Sequence, residues 1–203
     1  MRITYIRMRH FRLSQMILAA VLTASAAYAQ APQQTAVDKP ANAGQDALAP
    51  LFEALKRERD VGKARAIVGR INSEWNDSGS ATVNLLMQWA ANAVTDKRNA
   101  AALDFLDQAT LLQPDYAEAW NRRAGLHYVM GNRRKSMADI NQVLQREPRH
   151  LGALAGMAGI LEEAGEDELA LKAWQRYLSL YPADRDAQDE AKKLSEKLAG
   201  HRT

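Results

Sequence analysis

The side chains that could do chemistry in this chain are few and scattered. Its four histidines stand at 10, 127, 150 and 201. A helical zinc site needs two imidazoles one turn apart, as in H-E-x-x-H, and no pair here has that spacing. Cysteine is absent, which removes disulfides, thiolate metal sites, cysteine nucleophiles and a lipid-modified N-terminal cysteine. Carboxylates gather at Glu162-Glu163 and Glu166-Asp167-Glu168, where they could hold a hard cation or line a solvated turn. Asn132-Arg133-Arg134-Lys135 could meet an anionic partner or lie in solvent. Gly152, Gly156 and Gly159 fall inside a helical pattern rather than a phosphate-binding loop, and no G-x-S-x-G elbow occurs. The expectation is no metal, no cofactor and no enzyme. A catalytic accessory with carboxylate chemistry is the rival, and copurifying metal is its signature.

The charge balance says little about partners once it is divided along the chain. Residues 1–29 hold Arg2, Arg7, Arg9 and Arg12 and no acid, so the remainder has 23 basic against 24 acidic residues. A nucleic-acid partner would require a basic stripe on the folded part, and none is expected. Hydrophobic residues make up 47% and charged residues 25%, as in an ordinary globular domain.

The N-terminus reads as an address. A basic stretch over 2–12 precedes a short apolar run over 13–27, then Ala27-Tyr28-Ala29 before Gln30. Small residues at the last and third-last positions fit a secretory signal cut after Ala29. The run is shorter than the roughly 20 residues that span a bilayer, although an uncleaved anchor remains the alternative. Residues 30–46, with Pro32, Pro40 and Gly44, lack an apolar period and are expected to form a flexible linker. Past Leu55 no apolar run is long enough for another span, so no stable membrane insertion is expected after cleavage.

What would position a binding surface is a 34-residue repeat. Pro114, Pro148 and Pro182 are 34 apart. With each proline at position 32, units run 83–116, 117–150 and 151–184. Position 4 then holds Leu86, Trp120 and Leu154, and position 24 holds Leu106, Ile140 and Trp174. Position 8 holds Ala90, Ala124 and Ala158, and position 20 holds Ala102, Ser136 and Ala170. Large side chains fill the space between paired helices, and small ones let backbones approach. Lys97, Gly131 and Gly165 occupy position 15, where a left-handed residue would end the first helix of each pair. The prolines stop the second helix, and in unit two Asp115 with Glu118 is expected to cap the next.

These residues resemble the tetratricopeptide repeat (TPR) family, most closely in unit two: A-E-A-W-N-R-R-A-G-L-H-Y-V-M-G, then S-M-A-D-I-N-Q-V-L, then Pro148. The resemblance covers about half the chain and implies an all-α, right-handed superhelical stack of antiparallel helix pairs. Position 7, usually leucine there, is Trp89, Arg123 and Met157, and position 11 is Ala93, His127 and Leu161. His127 is therefore expected in the packing, while His150 falls at a repeat junction. Residues 47–82 read as a degenerate helix pair capping the stack. Residues 185–203, with Ala187, Ala191, Leu194 and Leu198 at helical spacing, read as a solvating last helix and tail.

The resemblance further implies a concave face lined by positions 2, 5, 6, 9 and 12. Carried onto this chain, these offer Asn84, Met87, Gln88, Ala91 and Val94 in unit one. Unit two offers Glu118, Asn121, Arg122, Gly125 and Tyr128, and unit three Gly152, Ala155, Gly156, Gly159 and Glu162. The family's carboxylate clamp needs Lys and Asn where this chain has Met87, Ala91, Gly152 and Gly156. Only Arg122 could serve, so no clamp is expected. The leading expectation is a periplasmic scaffold that binds a peptide segment or helix of an envelope protein in this groove. Self-association through the end helices, giving a homo-oligomer, is the alternative.

Overall fold

Contacts divide the chain into Met1–Thr35 and Ala36–Thr203. The computed structural model describes residues 41–200, which all lie in the second unit, and the side chains from residue 47 onward. The expected leader, its cut after Ala29, and His201 lie outside the described residues.

Every described element is a helix. The order is α1 (Ala41–Arg57), α2 (Val61–Trp75), α3 (Ala81–Thr95), α4 (Asn99–Leu112), α5 (Ala117–Val129), α6 (Arg133–Arg146), α7 (Leu151–Glu163), α8 (Asp167–Leu180) and α9 (Arg185–Gly200). Helices α3 to α8 form three antiparallel pairs in a right-handed superhelical stack, each pair packing on the next. Among the described residues no helix is long and apolar enough to cross a membrane.

The turn inside each pair follows from one backbone position. Lys97, Gly131 and Gly165 adopt positive φ of 57°, 78° and 75°. There the chain reverses, and the amide of the following residue bonds back to the helix: Arg98 N to Ala93 O, Asn132 N to His127 O, Glu166 N to Leu161 O, all at 2.8–2.9 Å. Glycine takes this conformation without a Cβ clash, whereas Lys97 takes it at a cost.

The packing columns divide by chemistry. Ala90, Ala124, Ala158, Ala170, Leu106, Ile140 and Leu154 are buried, while Leu86, Trp120 and Trp174 are half-buried. The prolines lie at the surface: Pro114 and Pro148 are exposed and Pro182 is half-buried. They contribute carbonyls rather than packing. Pro114 O accepts from Trp120 Nε1 at 2.8 Å, Pro148 O from Arg176, and Pro182 O from Gln188.

Three expectations are corrected. The helix α1 begins at Ala41, inside the expected linker, and runs through Gly44 and Pro50. The N-cap of α5 is Tyr116, without a side-chain cap bond, so Asp115, one residue earlier, does not cap the helix. Most consequentially, α1–α2 does not share the core of unit one. Leu48, Leu51, Phe52, Leu55, Ile71 and Trp75 are buried with Leu151, Leu154, Tyr177, Leu180 and Ala187 of α7 to α9. The core of α3–α4 closes instead on Tyr116, Ala119 and Leu126 of α5. Fully buried Phe52, Leu55 and Ile71 each contribute about 1.5–3 kcal/mol, which makes the hairpin an integral layer.

Candidate functional site: the inner face of the stack

The inner face is formed by α3, α5 and α7, and α2 crosses part of it. The α2 residues Val68, Asn72 and Trp75 border a cleft with Glu118, Asn121 and Arg122 of α5 and with Gly152 and Ala155 of α7. Trp75 stacks on His150, with ring centroids 4.1 Å apart and planes 14° from parallel. His150 is buried at 2% exposure. Its Nδ1 accepts from Ala153 N at 3.2 Å, capping α7, which leaves the proton on Nε2 to face Glu118 Oε2 at 3.2 Å. Glu118 also accepts from Asn121 and Arg122 at 2.9 Å, and Arg122 reaches Asn76 beyond α2. Burial raises the Glu118 carboxyl, but the hydrogen bonds from His150 and Arg122, with the Arg122 charge, outweigh this and hold it below the usual carboxylate range.

The rest of the inner face is open and apolar. Between α5 and α7 lies a hollow of about 530 Å³ lined by Ala124, Gly125, Tyr128, Ala155, Gly156 and Gly159. Between α3 and α5 lies another of about 610 Å³, lined by Ala91, Val94, Lys97, Arg122, Gly125 and Val129. Arg122 and Gly125 border both, so the two form one trough. A Cβ built on Gly125 or Gly159 would meet nothing within 4 Å, whereas one on Gly156 would touch Ile140 at 3.4 Å. At 125 and 159, helix packing does not require glycine.

The expected groove residues are therefore not all available to a guest. Met87 is a core residue at 3% exposure and is removed from the groove, because α3 turns it toward α4 and α5. Asn84 accepts from Ser78 N and Ser78 Oγ and so fastens the α2–α3 loop. Glu118 and Asn121 are spent on the His150 cluster. Glu162 accepts from Trp174 Nε1 at 2.6 Å. Tyr128 is exposed, but its hydroxyl donates to Glu163, and Arg133 lies over its ring at 4.4 Å; the bond to Glu163 pushes the phenol up. Gln88 and Gly125 are exposed, and Ala155 and Gly159 are half-buried in the trough wall. Arg122 stands where the two hollows meet.

The sequence reading missed Trp75 and His150. Trp75 stands in the degenerate segment outside the three clear units, and His150 shares its junction column with Tyr116 and Asp184, whose residue types have nothing in common. It also missed the polar cluster on the opposite side of α5. Arg123 donates to both oxygens of Asp139 at 2.8 Å and to Asp107 at 2.7 Å, with Asp139 nearly buried. His127 is buried beside this cluster, 3.9 Å from Asp139. Burial pushes its imidazole down, partly opposed by Asp139.

No family model matches the chain. Paired helices stacked at a 34-residue period with an open inner face define a helical-repeat solenoid. The chain is 56% identical to a TPR repeat-containing protein of Rhizobium etli over 201 residues, which covers 97% of this chain and 98% of that one. This chain belongs to the tetratricopeptide repeat family. Solved structures share the fold. The first TPR of Spaghetti (RPAP3), bound to an HSP90 peptide, has a TM-score of 0.55 at 19% identity and covers 59% of this chain and 95% of its own. The Sgt2 TPR domain of Aspergillus fumigatus has a TM-score of 0.55 at 15% identity and covers 61% and 84%. The fold is that of protein–protein interaction adaptors.

Proposed function

We propose that this chain is a periplasmic adaptor that holds an extended segment or a helix of an envelope protein in the open trough of its inner face. The export half of this reading is supported by the basic, apolar and small-residue order of residues 2–29. The binding half is carried by Gly125 and Gly159. Each interrupts a helix with a residue about 1 kcal/mol poorer than alanine, and no neighbouring atom demands it. Bare backbone at these points widens the trough for a guest.

Cross-linking in intact cells, followed by purification from the periplasmic fraction, tests the reading. The expected result is a mature chain beginning at Gln30 and a partner cross-linked to residues of the trough. Gly125→Leu with Gly159→Leu should abolish that cross-link while the fold persists. A partner retained by the double variant sinks the trough assignment, and a chain retained in the cytoplasm sinks the location.

A further inference from the structure

The N-terminal end of the stack is an apolar face without a cover. Position 3 faces the preceding unit, since Ala119 packs in the core of α3–α4 and Ala153 in that of α5–α6, and position 23 is buried as well at Asp139 and Ala173. In unit one the same positions carry the larger Leu85 and Phe105. Leu85 is 42% exposed and Trp89 44%, and Trp89 packs on Phe105 with centroids 5.6 Å apart. The other side of α4 is engaged, since Asp107 and Thr110 bond to Arg123 on α5, so Phe105 belongs to the outer end.

A solenoid end in water should be polar. The opposite end obeys this rule: α9 exposes Asp189, Lys192, Lys193 and Glu196. Helix α3 carries no ionisable residue anywhere from Ala81 to Thr95. The helix pair that would ordinarily cover it, α1–α2, is committed to the core of α7 to α9.

We propose that this end face is the interface between two copies of the chain, packed α3 against α3 about a two-fold axis. The α3 half of the face carries no charge, so Leu85 and Trp89 meet their own copies without like-charge repulsion, the condition an isologous contact must satisfy, and α3 offers no charge to select a different partner. Two helices side by side, about 22 Å long and together about 20 Å wide, cover about 440 Å² per copy. The resulting total of about 900 Å² is below the standard interface size and suits a reversible dimer rather than an obligate one.

Sedimentation equilibrium of the purified protein over a dilution series tests this. The expected mass is that of two chains at high concentration, falling to one on dilution. Trp89→Arg and, separately, Leu85→Glu should give one chain throughout with an unchanged helical circular dichroism signal. Leu169→Arg, an exposed apolar site on α8, should leave the dimer intact. A single-chain mass at every concentration overturns the proposal, including the case in which residues 1–40 of the same chain cover Trp89. A dimer that survives both end-face variants overturns it as well.

Discussion

The indole of Trp75 lies flat on the imidazole of His150, 75 residues away in the chain, and this contact decides the shape of the inner face. Through it the last turn of α2 covers the start of α7, and His150 in turn joins Glu118 on α5. One aromatic contact thereby ties three layers together.

Replacing Trp75 with alanine should cost about 3–5 kcal/mol, as the large cavity cannot collapse between two rigid helices. Trp75→Phe should cost far less, because the Trp75 Nε1 has no hydrogen-bond partner to lose. Chemical denaturation of the three proteins measures the difference. Equal midpoints for the alanine variant and the parent would show that the stacking contributes nothing.

The pair Arg123–Asp139 is largely buried, with side-chain exposures of 17% and 7%. Removing Asp139 leaves Arg123 with only the more exposed Asp107 as counter-ion, so Asp139→Ala should cost about 3 kcal/mol, the low end for a broken buried pair. Unit three has Met157 and Ala173 at the same two positions. The double change Arg123→Met with Asp139→Ala should therefore recover most of that loss. A double-mutant cycle reads the coupling, and strict additivity would contradict the argument.

Lys97 holds a left-handed conformation at φ 57° where units two and three use glycine. Lys97→Gly should raise stability by roughly 1 kcal/mol, and Gly131→Ala should lower it by roughly 1–2 kcal/mol. Thermal unfolding of both variants tests the opposite signs.

Acid should weaken the fold in two stages. Folding lowers the His127 pKa below 6.5, so near that pH the unfolded chain binds more protons and stability falls as pH falls. Glu118 is also lowered, from 4.5; its contribution is complete above that value and is lost below it. His127→Leu, matching Leu161 of unit three, should flatten the upper stage alone. Unfolding midpoints measured from pH 8 to pH 4 show whether the upper step disappears.

Alanine at Gly125 and Gly159 should stabilise the fold by about 1 kcal/mol each, since helix propensity rises and no atom stands in the way. Partner affinity should fall as stability rises. A loss of stability would mean that an unseen packing constraint holds these glycines.

Much of the stack was legible in the sequence because each unit repeats the same local problem. Where the problem is local, residue type answers it. Gly131 and Gly165 mark the turns, Ala90, Ala124 and Ala158 mark the close approaches, and the apolar period marks the buried faces. Where side chains meet across the fold, type alone was a poor guide. Met87 stood at a groove position and turned out to be core. Asn121 and Glu162 stood at groove positions and are taken up by Glu118 and Trp174.

The sequence by itself determined the helices, the turns and the 34-residue stacking, because backbone conformation and neighbour-to-neighbour packing depend on residues a turn or one repeat apart. Only the tertiary structure decided where α1–α2 goes. Its apolar residues could have covered unit one, but Phe52, Leu55, Ile71 and Trp75 find their partners on α7 to α9. That choice depends on shape and burial between segments roughly 100 residues apart, which no local period encodes. It fills one part of the inner face, leaves the trough around Gly125 and Gly159 open, and leaves Leu85 and Trp89 in water.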